Sequence, residues 1–212
     1  MSERNGLNSP HERYDARVQR RSAVVLKRRV LEQERAQLLA ALDWARDDDS
    51  FERIAALIVA ARRRFIFGAA KSFTFASLLA MDLSASLANV TLIDGTIVRP
   101  LDVLSDVRNT DVMVAISLAR YRRYTIDIAL EFARAGGTLV VITDAPDAPL
   151  VDHATETIVV STESASYANS PTTVALALHL LATLTSASSK GAGRRMVERD
   201  RLADVLGLYV GE

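Results

Sequence analysis

Three short stretches gather hydroxyls, two of them together with cations, at places where an apolar strand pattern hands over to a helical one. Gly68-Ala69-Ala70-Lys71-Ser72 is the first. Backbone N–H groups at a helix start can hold a phosphate, Lys71 adds positive charge, and Ser72 adds a hydroxyl donor. The stretch is neither the Gly-x4-Gly-Lys-Ser/Thr loop nor the Gly-x-Gly-x-x-Gly fingerprint, and a helix-capping role for Ser72 accounts for it equally well. Ser117-Leu118-Ala119-Arg120-Tyr121-Arg122-Arg123 is the second. Three arginines ahead of an apolar helix oppose the positive end of its dipole, which points to a ligand whose negative charge offsets them. The third runs from Ser161 to Tyr167 and on through Asn169 and Ser170. Its small polar groups fit sugar hydroxyls or a phosphate, or else a serine-rich loop with a cap at Ser164 or Ser166.

Proton transfer between adjacent sugar carbons would need a base within hydrogen-bond reach of the substrate. Glu163, at a strand tip, is the best-placed carboxylate, and capping the following helix is its other reading. His11 lies near the chain start, His153 in a loop away from the strand tips, and His179 among leucines in a helix. No His/Asp/Glu set has metal-ligand spacing, so neither a metal nor another cofactor is expected. The absence of Cys excludes disulfides, thiolate zinc sites and Cys nucleophiles.

The elements that must position these loops follow from hydrophobic pattern. Phe65-Ile66-Phe67, Val90–Ile93, Asp111–Ser117, Thr138–Thr143 and Thr157–Val160 read as strands without polar alternation, as when both sheet faces are covered. Helical patterns over 73–87, 98–105, 122–135 and 167–186 separate or follow them, with Gly136-Gly137 as a left-handed stop. Strands alternating with helices imply a five-stranded parallel sheet, doubly wound into three α/β/α layers. Ligands of such sheets bind beyond the carboxyl ends of the strands, where strand order reverses. Asp47-Asp48-Asp49-Ser50 starts a helix that Arg62-Arg63-Arg64 closes at the end favouring cations. A last helix spans 194–206.

Ahead of this core, residues 1–12 are polar, and 13–46 reads as helical with no Gly or Pro to break it. Val24, Leu31, Leu38 and Ala45 recur every seven residues, but the complementary seam is incomplete, so the segment fits better as one or two helices lying on the domain or on a partner. Between Arg13 and Arg35 stand eight basic and three acidic residues, a pattern suited to nucleic acid or to a solvated helix face. The 212 residues thus divide into a helical arm over 1–48, a core over 49–190 and a C-terminal helix over 191–212. Basic and acidic residues balance at 26 each, which argues against a globally basic nucleic-acid binder. Arginine outnumbers lysine, 23 to 3, but is dispersed. Without a signal-like apolar segment or a run of about 18 apolar residues, a soluble cytoplasmic protein with no membrane partner is expected.

From Phe51 to Lys190 the chain resembles a SIS domain, the sugar-phosphate isomerase/binding module, and above all the effector domain of RpiR/MurR-type transcription regulators. The residues that carry the resemblance are Ala61–Gly68, Asp111–Ser117 with Arg120-Tyr121, Gly137–Asp144 followed by Pro149-Leu150, and Glu163-Ser164 before Tyr167, Asn169 and Ser170. It implies a flavodoxin-like fold, a homodimer or tetramer, and a phosphorylated sugar held by loop hydroxyls and helix N-termini. By position, Ser72 and Ser117 would be phosphate-side contacts and Ser164 or Ser166 would lie at the same pocket, with Gly68 and Lys71 of the first loop also expected to bind the ligand. The sequence departs from the family's usual loops: Ala70 stands where the second Gly of Gly-x-Gly-x-Ser is usual, and the second Ser, the Gly and the Thr of Ser-x-Ser-Gly-x-Thr are missing after Ser117. Arg120 or Arg123 would then replace hydroxyl contacts with charge. Only about 50 residues precede Phe51, fewer than a self-folding DNA-binding head needs, so direct DNA binding is not expected. A ligand sensor is the first functional reading, and a phosphosugar isomerase using Glu163 as base the second.

Overall fold

The computed structural model describes residues 9–210. The arm comes first, as α1 (Pro10–Arg17) and α2 (Ala23–Asp47). Helix α1 has a complete capping box: the Ser9 hydroxyl accepts from the Glu12 backbone N–H, and the Glu12 carboxylate accepts from that of Ser9. Of the one or two helices expected over 13–46 the structure has two, with a break at residues 18–22, where Arg20 takes a φ of 62°. That left-handed residue does without the Gly or Pro that would have marked the break.

The core follows in the order α3 (Ser50–Ala60), β1 (Arg63–Gly68), α4 (Lys71–Ser86), β2 (Val90–Ile93), α5 (Pro100–Leu104), β3 (Asp111–Ser117), α6 (Arg123–Arg134), β4 (Thr138–Thr143), β5 (Glu156–Val159), α7 (Thr172–Ser188) and α8 (Ala192–Leu206). Asp48 starts α3 by accepting from the Ser50 backbone N–H at 2.8 Å. The five strands are parallel, in the order β2-β1-β3-β4-β5. Each apolar strand divides its side chains between two buried faces. Ile66, Val114, Ile116, Val140, Ile142 and Ile158 pack with α3, α4 and α7. Phe65, Phe67, Met113, Leu139 and Val141 pack with residues of α5 and α6. The result is the expected three-layer sandwich, in which a strand buried on both faces loses polar alternation.

Two glycines close α6. Gly136 supplies the left-handed turn at φ 92°, and Gly137 lets β4 begin against the ring of Phe132, where an added Cβ would lie 2.2 Å from the ring. Helix α7 starts at Thr172, five residues later than its apolar pattern alone predicts. Ser170 donates its backbone N–H to the Thr162 carbonyl, and Pro171 disfavours a helical residue before it. Among the described residues, no single helix is both long and apolar enough to cross a membrane.

The arginines after α3 do more than close a helix. Arg63 and Arg64 belong to β1. Arg63 pairs with the buried Asp111 and with Asp106, both of which hold its guanidinium in the charged form. Arg64 is buried, and its guanidinium donates to the carbonyls of Ile58 at 2.6 Å, Val59 at 2.8 Å and Ala88 at 3.0 Å. The first two are carbonyls left over at the end of α3. One cation from the neighbouring strand thus caps the helix and ties it to the segment before β2. Replacing it by the similarly shaped Arg64→Met would leave three carbonyls short of a donor. Urea unfolding should show a loss of about 3 kcal/mol, against a change within about 0.5 kcal/mol for the exposed Arg62→Met.

Candidate functional site

In the strand order, β1 lies between β2 and β3, so the chain leaves β1 in one direction along the sheet and reaches β3 from the other. Gly68 at the end of β1 stands beside Ile116 at the end of β3. The loops after these two strands separate above the reversal, and a cavity of about 520 Å³ lies between them. Its wall includes Lys71 and Ser72 at the start of α4, Ser117 at the tip of β3, Arg120, Tyr121 and Arg122 in the following loop, and Asn169 and Ser170 before α7. Three helices therefore begin at the rim and turn the positive ends of their dipoles toward it.

The two loop serines meet at this cavity although 45 positions apart in the chain. Both are buried. The Ser117 Oγ has no hydrogen-bond partner among the described residues, while its backbone carbonyl accepts from the Thr143 hydroxyl at 2.7 Å. An unpaired buried hydroxyl costs about 1–3 kcal/mol, a cost that a ligand oxygen would remove.

Asp144, directly after β4, organises the rim. Its carboxylate accepts from the Ala119 backbone N–H at 3.1 Å, the Tyr121 hydroxyl at 2.9 Å and the Thr162 hydroxyl at 3.1 Å. Asn169 is the second organiser. It donates through Nδ2 to the Ala119 carbonyl at 3.1 Å, and its two oxygens each accept from a cation: Oδ1 from Arg13 at 2.6 Å and the backbone carbonyl from Lys71 at 2.6 Å. Burial and the neighbouring Arg13 lower the pKa of Lys71, and burial with Arg17 and Arg120 lowers that of Arg13. Mutual repulsion among these cations is the mark of a site that favours an anion.

The other expected contacts are placed as follows. Gly68 lets β1 approach the start of α4, where an added Cβ would lie 2.7 Å from the Ser72 carbonyl oxygen. Arg120 faces the cavity, whereas Arg123 points to solvent toward Asp127 at 3.8 Å and Arg122 stands in the wall instead. The backbone carbonyls of Ser164 and Ser166 accept from Arg17 at 2.6 and 3.2 Å, which turns this part of the loop toward α1. Glu163 is exposed and lines a second cavity of about 460 Å³, with Gln37 and Trp44 of α2. Among the described residues, no group of His, Asp and Glu is arranged to hold a metal.

Local spacing singles out neither Asp144 nor Arg13 as a site residue, whereas Thr162 and Asn169 belong to the polar stretch after the last strand. Asp144 and Asn169 do stand within the stretches that carry the family resemblance. Arg13 gives no such signal, because its partner is 156 positions away.

Ala70 stands at φ 55° and ψ −124°, a region that glycine enters without strain and alanine does not. Ala70→Gly should therefore stabilise the fold by about 1 kcal/mol in thermal unfolding, through relief of the positive φ. Gly68→Ala should cost about 2 kcal/mol or more, because the clash falls on backbone.

A family model for the SIS domain matches residues 57–188. Among solved structures, the sugar isomerase domain of an RpiR transcription factor from Sphaerobacter thermophilus is 21% identical, with a TM-score of 0.76 over 84% of this chain and 98% of its own. The Vibrio vulnificus NanR protein complexed with ManNAc-6P is 18% identical, with a TM-score of 0.72 over 89% of this chain and 74% of its own. An Escherichia coli CFT073 protein in complex with arabinose-5-phosphate is 14% identical, with a TM-score of 0.62 over 85% of this chain and 100% of its own. At these identities the likeness is one of fold. No curated protein matches the sequence. The five parallel strands, their reversal between β1 and β3, and the match over residues 57–188 make this chain a member of the SIS domain family.

Proposed function

We propose that the chain binds a phosphorylated sugar in the cavity above β1 and β3 and acts as a sensor of it, in the manner of an RpiR-type effector domain. The observation that carries this reading is the buried, unpartnered Ser117 hydroxyl in a wall that also holds Ser72, Lys71 and Arg120. Hydroxyls and cations gathered at helix starts are the chemistry of phosphoryl recognition. A volume of about 520 Å³ suits a ligand of sugar-phosphate size. Fold neighbours carry ManNAc-6P and arabinose-5-phosphate, which makes these two compounds the first to try.

Sensing is favoured over isomerisation by the position of Glu163. The carboxylate that the isomerase reading requires stands in the wall of the second cavity. A Glu163→Gln variant should accordingly bind sugar phosphate as the parent chain does. Loss of a measurable isomerase turnover in that variant, with binding kept, would restore the catalytic reading.

The proposal includes a homodimer in the cytoplasm. Exposed apolar side chains on α4 (Met81) and α8 (Val197, Val205 and Leu206) support self-association.

In a thermal-shift screen, at least one sugar phosphate should raise the unfolding temperature, and the matching unphosphorylated sugar should not. By calorimetry, Ser117→Ala should weaken binding about tenfold, and Lys71→Met by at least as much, because it removes a charge-assisted contact. The affinity should also fall as salt rises. If no sugar phosphate stabilises the chain while a positive control responds, the reading fails.

A further inference from the structure

Helix α1 is tied to the domain through arginine. None of its residues is fully buried, and its apolar side chain Tyr14 is exposed. Its long-range hydrogen bonds run from Arg13 to Asn169 and from Arg17 to the carbonyls of Ser164 and Ser166. Arg13 and Pro10 form part of the cavity wall, and the Arg13 Nε is buried with no hydrogen-bond partner among the described residues. A guanidinium with one donor unspent therefore stands at the mouth, beside Lys71, and both cations are held by oxygens of the same residue, Asn169. Opposing this attachment, Arg17 and Arg120 repel Arg13, and Arg13 repels Lys71.

We propose that α1 is a ligand-coupled strap: an anionic group bound in the cavity takes up the Arg13 guanidinium alongside Lys71 and fastens α1 across the mouth. The proposal rests on the anion-binding reading of the cavity given above. A docked α1 offers the anion a charge-assisted donor that an undocked one does not, and only such a difference in affinity lets a ligand shift the balance between the two arrangements. The added anion also relieves the repulsion among Arg13, Arg17, Lys71 and Arg120. Residues 18–22 separate α1 from α2, and it is α2 that packs on α7.

The test uses the full chain with ManNAc-6P, arabinose-5-phosphate and inorganic phosphate, each beside its phosphate-free counterpart or buffer. Calorimetry reads binding, and hydrogen exchange over residues 10–17, with tryptic cleavage after Arg17, Arg20 and Arg21, reads the strap. A phosphate-bearing probe that binds should slow exchange in α1 and cleavage of the break at least fivefold, and the phosphate-free sugar should do neither. Arg13→Met should weaken binding about tenfold and abolish the protection, with the unfolding temperature in the absence of ligand changed by no more than about 2 °C, since no residue of α1 is fully buried. Ser117→Ala, once saturated, should retain the protection. If a probe binds the parent chain and Arg13→Met equally, or binds without protecting α1, the strap is overturned and the anion site stands. If none of the probes binds the parent chain, the anion site is overturned and the strap with it.

Discussion

The carboxylate of Asp144 accepts hydrogen bonds from three places: the backbone of Ala119, the hydroxyl of Tyr121 and the hydroxyl of Thr162. It sits where β4 ends, between the loop after β3 and the loop after β5, and draws the two together. Without it, the loop after β3 would have only the Asn169 side chain to fix its course at Ala119. The constraint is strict because a loop carries little apolar surface to bury, so its conformation must come from polar bonds of definite geometry. Asp144 thus sets the lateral position of Arg120 and Arg122. The β1–β3 pairing sets the distance between Ser72 and Ser117.

A second constraint is electrostatic. Lys71, Arg13 and Arg17 all end on oxygens of the segment between β5 and α7, the last two from a helix some 150 positions away in the chain. The Ser170 hydroxyl also binds the Glu34 carboxylate of α2 at 2.7 Å. One short loop is therefore held by Lys71 of α4 and by both arm helices. Neutral carbonyl and amide oxygens compensate these cations only in part, and an oxyanion would do so more fully. The same loop carries Asn169 into the cavity wall, where its side chain is joined to Arg13 of the arm.

Much of the sheet is legible in the sequence. Asp111–Ser117 and Thr138–Thr143 are read to the residue, because a strand covered on both faces shows an uninterrupted apolar run with polar residues only at its ends. The loops worth inspecting follow from the same reasoning, and Ser72 and Ser117 do share a cavity. What escapes is whatever depends on contacts between distant segments. The break at 18–22 is invisible because Arg20 adopts a left-handed turn without glycine. Arg64 reads as a helix-closing surface cation, yet it is drawn inside by three carbonyls that only the folded chain brings together. Of the clustered arginines after Ser117, spacing cannot separate Arg122, in the wall, from Arg123, in solvent, since adjacent residues at a helix start point in directions about 100° apart.

The departures from the family's usual loops form a consistent set. Ala70 takes a positive φ, for which glycine is the usual solution, at a cost in strain. The loop after β3 lacks the usual second serine, the glycine and the threonine, and Arg120, Arg122 and Arg123 occupy this stretch instead. Hydroxyls recognise a phosphoryl group by short directional bonds and hold it equally well across a wide range of salt, whereas guanidinium groups add long-range attraction that salt weakens. A site rebuilt from hydroxyls toward cations should gain capture rate and lose some geometric discrimination among sugars. Ser72 and Ser117 keep buried hydroxyls in the cavity wall, whereas Arg120 and Arg122 in the same wall are exposed, which places the directional groups inside and the long-range charge toward solvent.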